Sequence, residues 1–135
     1  MNGNSELITK YQEESIRTLS KGELILRLYD EVLKNLRYAC ALFREGNAAA
    51  AKKCTGKSRS ILNYLIVILD RKYDLAETLN RVYAYVIGQI IKADATGDAA
   101  GLEQAASRFG EVRDAWAQSV KNIRILGGER KREGA

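Results

Sequence analysis

Histidine and proline are absent from the 135 residues, cysteine occurs twice, and methionine and tryptophan once each. Without imidazole the chain lacks the side chain that ordinarily moves protons near neutral pH and supplies most nitrogen ligands to metals. The usual hydrolase triads and zinc sites are excluded with it. Without proline, nothing imposes the cost of about 3 kcal/mol that a proline inside a helix carries, so long uninterrupted helices are open to the chain. The longest strongly apolar run, Tyr64 to Leu69, is far short of the roughly 20 residues of a membrane span. Met1-Asn2-Gly3-Asn4-Ser5-Glu6 has neither a basic n-region nor an apolar h-region, so no signal peptide is expected and the cytoplasm is the default compartment. Cys40 and Cys54 form no Cys-x-x-Cys motif, and in a reducing cytosol they read as small buried thiols.

What is present fits one domain, since roughly 100 to 150 residues is the usual domain size. A hydrophobic share of 46% beside 29% charged residues suits a soluble globular chain, neither disordered nor membrane-embedded. The net charge is +5, but Lys121, Arg124, Arg130, Lys131 and Arg132 against Glu129 and Glu133 place three of those units in the last fifteen residues. The remaining body is too weakly basic to imply nucleic acid, whose binders concentrate basic groups on one face.

Ser20-Lys21-Gly22-Glu23 is a capping box, in which hydroxyl and carboxylate each satisfy a free backbone donor. From it a first helix runs to Gly46 with Ile25, Leu28, Tyr29, Val32, Leu36, Ala39, Cys40 and Phe43 as its stripe. Asn47 caps a second helix whose inward stripe is Ala51, Cys54, Ser58, Ile61, Leu62, Leu65 and Leu69, and whose later half is apolar nearly all round. That half is expected to be buried on two sides. Asp74-Leu75-Ala76-Glu77 opens a third helix with Leu75, Leu79, Val82, Tyr83, Val86, Ile90 and Ala93 inward, and Ile87 and Ile91 beyond that stripe. Gly97 ends it, and Asp98 caps a fourth helix carrying Leu102, Ala105, Ala106, Phe109, Val112, Trp116, Val120 and Ile123. The expected fold is all-α: an antiparallel up-and-down four-helix bundle over residues 20–126, preceded by a short helical or extended segment, residues 1–19, and followed by a disordered basic tail, residues 127–135.

Motifs that look chemical fail on context. Thr55-Gly56-Lys57-Ser58 ends like a phosphate-binding loop, but a helical pattern precedes it where a strand is required. Asp94-Ala95-Thr96-Gly97-Asp98 begins like a calcium loop, yet Ala99 and Ala105 stand where its Gly and closing Glu belong. No catalytic residue, metal site or cofactor is expected. Left over is the surplus apolar surface of the second and third helices, which in a small soluble protein marks a partner site.

Tyr11-Gln12-Glu13-Glu14-Ser15, Leu19-Ser20-Lys21-Gly22-Glu23-Leu24, Leu28-Tyr29-Asp30-Glu31-Val32-Leu33-Lys34, Leu79-Asn80-Arg81-Val82-Tyr83-Ala84-Tyr85-Val86 and Arg113-Asp114-Ala115-Trp116 stand in order along the chain. Together they resemble the flagellar export chaperones for flagellin, the FliS family, over about residues 11 to 120. The chain departs from that family's pattern at Lys72-Tyr73-Asp74, at Ala84 and at Gly88-Gln89. The resemblance implies a cytoplasmic, non-enzymatic helical bundle that holds the disordered C-terminal region of flagellin in surface grooves, prevents premature polymerisation, and serves the flagellar export apparatus. On that reading the partner-binding residues are Tyr11, Ile16, Ile66, Val67, Tyr83, Ile87 and Ile91, with residues 1–19 as a groove lid. For Tyr29, Tyr83 and Trp116, plain packing and a groove role both remain open. The alternative function is a basic helical nucleic-acid binder, carried by Lys52 to Arg59 and the tail, which a steep loss of binding with salt would reveal.

Overall fold

The structure is a computed structural model that describes residues 21–133, with side chains described through residue 123. Four helices follow one another: α1 (Lys21–Arg44), α2 (Ala48–Ile68), α3 (Ala76–Thr96) and α4 (Ala99–Glu133). No strand occurs among the described residues, and the class is the expected all-α bundle.

Glycine sets two of the connections. Gly46 and Gly97 take φ of 79° and 73°, the left-handed region that a residue with a Cβ avoids. The Gly97 N–H reaches the Ala93 carbonyl at 2.7 Å and closes α3. Asn47 then accepts the Ala50 N–H at 3.2 Å to open α2, and Asp98 accepts the Gly101 N–H at 3.1 Å to open α4. Each side chain satisfies a donor the first helical turn leaves free.

Two sequence signals did not act as expected. Asp74 is not the cap of α3: Leu75 holds that position without a side-chain bond, and the chain enters through stacked turns, Tyr73 N–H to Asp70 at 3.1 Å and Ala76 N–H to Tyr73 at 2.9 Å. Nor does α4 stop at Gly127-Gly128, where the sequence places the start of the tail, since it is helical to Glu133. Glycine ends a helix when it turns to positive φ; otherwise it only weakens the helix, by about 1 kcal/mol. Ser20, the expected cap of α1, lies outside the described residues.

The chain divides into two compact units, Leu28–Arg113 and a unit formed by Met1–Arg27 with Asp114–Ala135. In the larger unit consecutive helices are antiparallel neighbours, and cross-links fix their registers. The Ser58 hydroxyl donates to the Val32 carbonyl at 2.9 Å, the Thr55 hydroxyl donates to Asp94 at 2.7 Å, and Arg108 stacks over the Tyr85 ring. Arg113 reaches Asp30 at 2.7 Å and Arg44 pairs with Glu103, closing α4 back onto α1. The core centres on Tyr29, Tyr83 and Phe109, whose ring centroids lie 5.1 to 6.4 Å apart. Around it Val32, Leu36, Leu62, Leu65, Val86, Ile90 and Leu102 are fully or almost fully buried, each contributing about 1.5–3 kcal/mol by leaving water. Thr55 joins this core, while Cys54, Ile61 and Leu69 are half-exposed. The inward stripe of α2 is thus rotated from the expected one, because hydroxyls with partners can replace apolar side chains inside. Both thiols are free, Cys40 buried and Cys54 half-buried; burial pushes the Cys40 thiol pKa up.

In the smaller unit Gly22 and Val120 approach so closely that a Cβ on Gly22 would stand 3.1 Å from a Val120 methyl. The half-buried Trp116 donates its indole N–H to the Gly22 carbonyl at 2.8 Å.

Candidate functional site

The Thr55–Asp94 bond identifies which stripes of α2 and α3 face one another. Residues three, four or seven apart share a helix face, so Thr55 brings Leu62 and Ile66 along the α3 side of α2, and Asp94 brings Ile87 and Ile91 along the α2 side of α3. Leu62 is fully buried at the bottom of this seam. Ile66 and Ile87 are half-buried at its edge, and Ile91 is 48% exposed.

The seam therefore gathers Ile66, Ile87 and Ile91 and leaves the other expected residues elsewhere. Val67 is 80% exposed but stands about 100° round the helix from Ile66, facing outward. Tyr83, for which the sequence leaves plain packing and a groove-flanking role both open, is a core residue at 2% exposure, its hydroxyl 2.5 Å from that of Tyr29. A phenol can be this deep because the pair satisfies itself. Burial pushes both phenol pKa values up, Tyr29 further because the bond to Tyr83 adds to the effect. Tyr11 and Ile16 lie outside the described residues.

The later half of α2 is not buried on two sides as expected: Tyr64 is 50% exposed beside the outward Val67, and Tyr73 and Leu75 are open in the following connection. All four are large apolar side chains left in water, and the spacing pointed to only some of them. The all-round apolar run of α2 held the signal for Tyr64, and Tyr38, 56% exposed, stood outside the stripe of α1. Asp94, Asp98, Thr55 and Ser58 all have structural partners. Asp98 sits 3.4 Å from Lys92, and the Gly101 N–H, then Lys92, hold its carboxyl pKa below the ordinary value.

The motifs that resembled a known family meet in this architecture. Tyr29 and Asp30 of the Leu28–Lys34 motif touch Tyr83 of the Leu79–Val86 motif and Arg113 at the start of the last. The family model described as Flagellar protein FliS matches residues 4–123. The chain belongs to the FliS family. It is 28% identical over 116 residues to the flagellar secretion chaperone FliS of Bacillus subtilis strain 168, covering 86% of this chain and 87% of that one. With the flagellar secretion chaperone FliS of Escherichia coli K12 it shares 25% identity over 117 residues, covering 84% and 86%. With that of Salmonella typhimurium LT2 it shares 26% over 109 residues, covering 78% and 81%. In this FliS chain, then, the motif residues Tyr29, Asp30, Tyr83 and Arg113 hold helices together, whereas the exposed isoleucines of the α2–α3 seam lie outside any fold-holding bond.

Proposed function

We propose that the chain is a flagellar secretion chaperone that holds the disordered C-terminal region of flagellin along the α2–α3 seam, prevents its premature polymerisation, and delivers it to the export apparatus. The observation that carries the reading is the row Ile66, Ile87 and Ile91, an apolar edge left half-exposed beside a core that is already full. Such an edge suits helix-in-groove recognition, in which an amphipathic segment folds while laying its apolar face on the seam. Ordering that segment costs about 2–5 kcal/mol of the gross interaction, so a contact several turns long is required. Val67 extends the surface outward, and Tyr11 and Ile16 supply a lid or a direct contact from the N-terminal segment. Membership of the FliS family and the names of the relatives support the chaperone reading.

Calorimetric titration with a flagellin C-terminal peptide tests it. Ile87→Glu and Ile91→Glu should each weaken binding about tenfold or more, with Ile91→Glu leaving the melting temperature of the free protein nearly unchanged, because its side chain loses water only when the partner arrives. Undiminished binding by a folded Ile91→Glu, Ile87→Glu pair of variants would remove the seam from the site. Deleting residues 1–17 separates lid from contact: a lid gives tighter binding on deletion, a contact weaker binding.

A further inference from the structure

We propose that the cleft between α1 and α2 is a second docking surface, and that it takes an acidic segment of a partner protein. Helix α2 carries Lys52, Lys53, Lys57 and Arg59 and no Asp or Glu in its 21 residues, and among the described residues none of these four cations forms an ion pair. On the side of α2 turned to α1 lies an open cavity of about 440 Å³, lined by Glu31 and Asn35 of α1 and by Lys53, Gly56, Lys57, Ser60 and Ile61 of α2.

Three features give this cleft a chemistry. Lys53 and Lys57 are one turn apart on a single face, so both ammonium groups can address one chain of carboxylates. Gly56 lies between them in sequence and lines the cleft, and a Cβ there would meet nothing within 4 Å, so no side chain of α2 occupies the cleft at that position. The one acid present, Glu31, is paired outside the cleft cations, 2.9 Å from Lys34 and 3.4 Å from the Asn35 amide; Lys34 foremost, then Asn35 and the more distant charge of Lys57, hold its pKa below the ordinary value. The excess charge facing the cleft is positive.

The lining favours a peptide over a nucleic acid. No aromatic ring lines the cleft, so bases would have no stacking platform, whereas the Ser60 hydroxyl and the Ile61 side chain suit the polar backbone and apolar carbons of a polypeptide. The site is also separate from the seam. Lys57 is two residues from Thr55, about 200° round the helix, so one helix offers an apolar edge on one side and a cationic cleft on the other.

Fluorescence anisotropy with the intact protein tests this, using a labelled peptide that alternates Glu with Ser and Leu, its Gln counterpart, and a thymidine oligonucleotide of equal charge. The Glu peptide should bind and should release as salt rises from about 0.1 to 1 M, where the screening length falls from about 10 to 3 Å. Lys53→Glu with Lys57→Glu should weaken it about tenfold or more. Gly56→Leu, which keeps every charge, should weaken it severalfold by filling the cleft. The same charge reversal at the exposed Arg71 and Lys72 should change it less than about twofold. The proposal is overturned if Arg71→Glu with Lys72→Glu costs as much as the cleft pair, if Gly56→Leu has no effect, if the Gln peptide binds equally well, or if the oligonucleotide binds more tightly than the Glu peptide.

Discussion

Helix α2 changes character at its midpoint. Up to Ser60 its inward side chains are small or hydroxyl-bearing, Ala51, Thr55 and Ser58, and its outward ones are cations; from Ile61 on, Leu62 and Leu65 point inward while Tyr64 and Val67 stand exposed on the outside. In the first half polarity is tolerated inside because each hydroxyl has a partner, Asp94 or the Val32 carbonyl, and the outside is well hydrated. In the second half the inside is ordinary core, and the outside keeps apolar area in water that folding has not removed. The difference separates two demands on one helix. Its inner face answers to the fold, and its outer face is released from that demand.

The largest expected effect tests that separation directly. Leu62→Glu would place an unpaired carboxylate at a fully buried position, at a cost of several kcal/mol against a total stability of about 5–15 kcal/mol. Val67→Glu, five residues on and on the other side of the helix, 80% exposed, should change stability by less than about 0.5 kcal/mol. Thermal unfolding followed by circular dichroism reads both. Equal losses would mean that the outer face of α2 is also fold-bearing and that the comparison fails.

How far the sequence revealed this depended on where the deciding physics was local. The caps at Asn47 and Asp98 and the left-handed turns at Gly46 and Gly97 are short-range chemistry, and they stand where the residues place them. The four helices and most of the core stripes follow from spacing alone. The cap at Asp74 did not follow, because turns from Asp70 onward set the entry to α3. Thr55 was invisible as a core residue, since its burial depends on Asp94 lying 39 positions later. For Tyr83 the spacing left packing and a groove role both open, because only the approach of Tyr29 makes so deep a phenol tolerable. At the candidate site the excess isoleucines of α3 were legible, but which α2 residues join them depended on the rotation of α2, which the same threonine fixes.

A second test asks whether paired polarity inside is as harmless as the first half of α2 suggests. Tyr29→Phe leaves the buried Tyr83 hydroxyl without its Tyr29 partner and should cost about 1–3 kcal/mol, whereas Tyr29→Phe with Tyr83→Phe removes both groups and should recover most of it. Denaturant unfolding of the single and double variants gives the comparison. The pair also sets an alkaline limit. Burial raises both phenol pKa values above the ordinary 10.0, so the neutral pair contributes its full stability below about pH 10 and loses it as pH rises beyond. The double variant should therefore lose less stability than the parent above pH 10, and identical alkaline losses would show that other groups govern that limit.

The smallest expected effect concerns two glycines, one just before α2 and one within its basic half. Gly46 takes φ of 79°, and Gly46→Ala should destabilise the protein by about 1–2 kcal/mol because a Cβ clashes in that conformation. Gly56 sits inside the helix, and a Cβ there would meet nothing within 4 Å, so Gly56→Ala should stabilise by up to about 1 kcal/mol through helix propensity and a less flexible unfolded chain. Opposite shifts in the denaturation midpoint are the expected result. A Gly56→Ala variant that gains stability while holding an acidic peptide less well would show that this glycine weakens the helix in order to keep the cleft open, which places it with the outer face of α2 rather than with the fold.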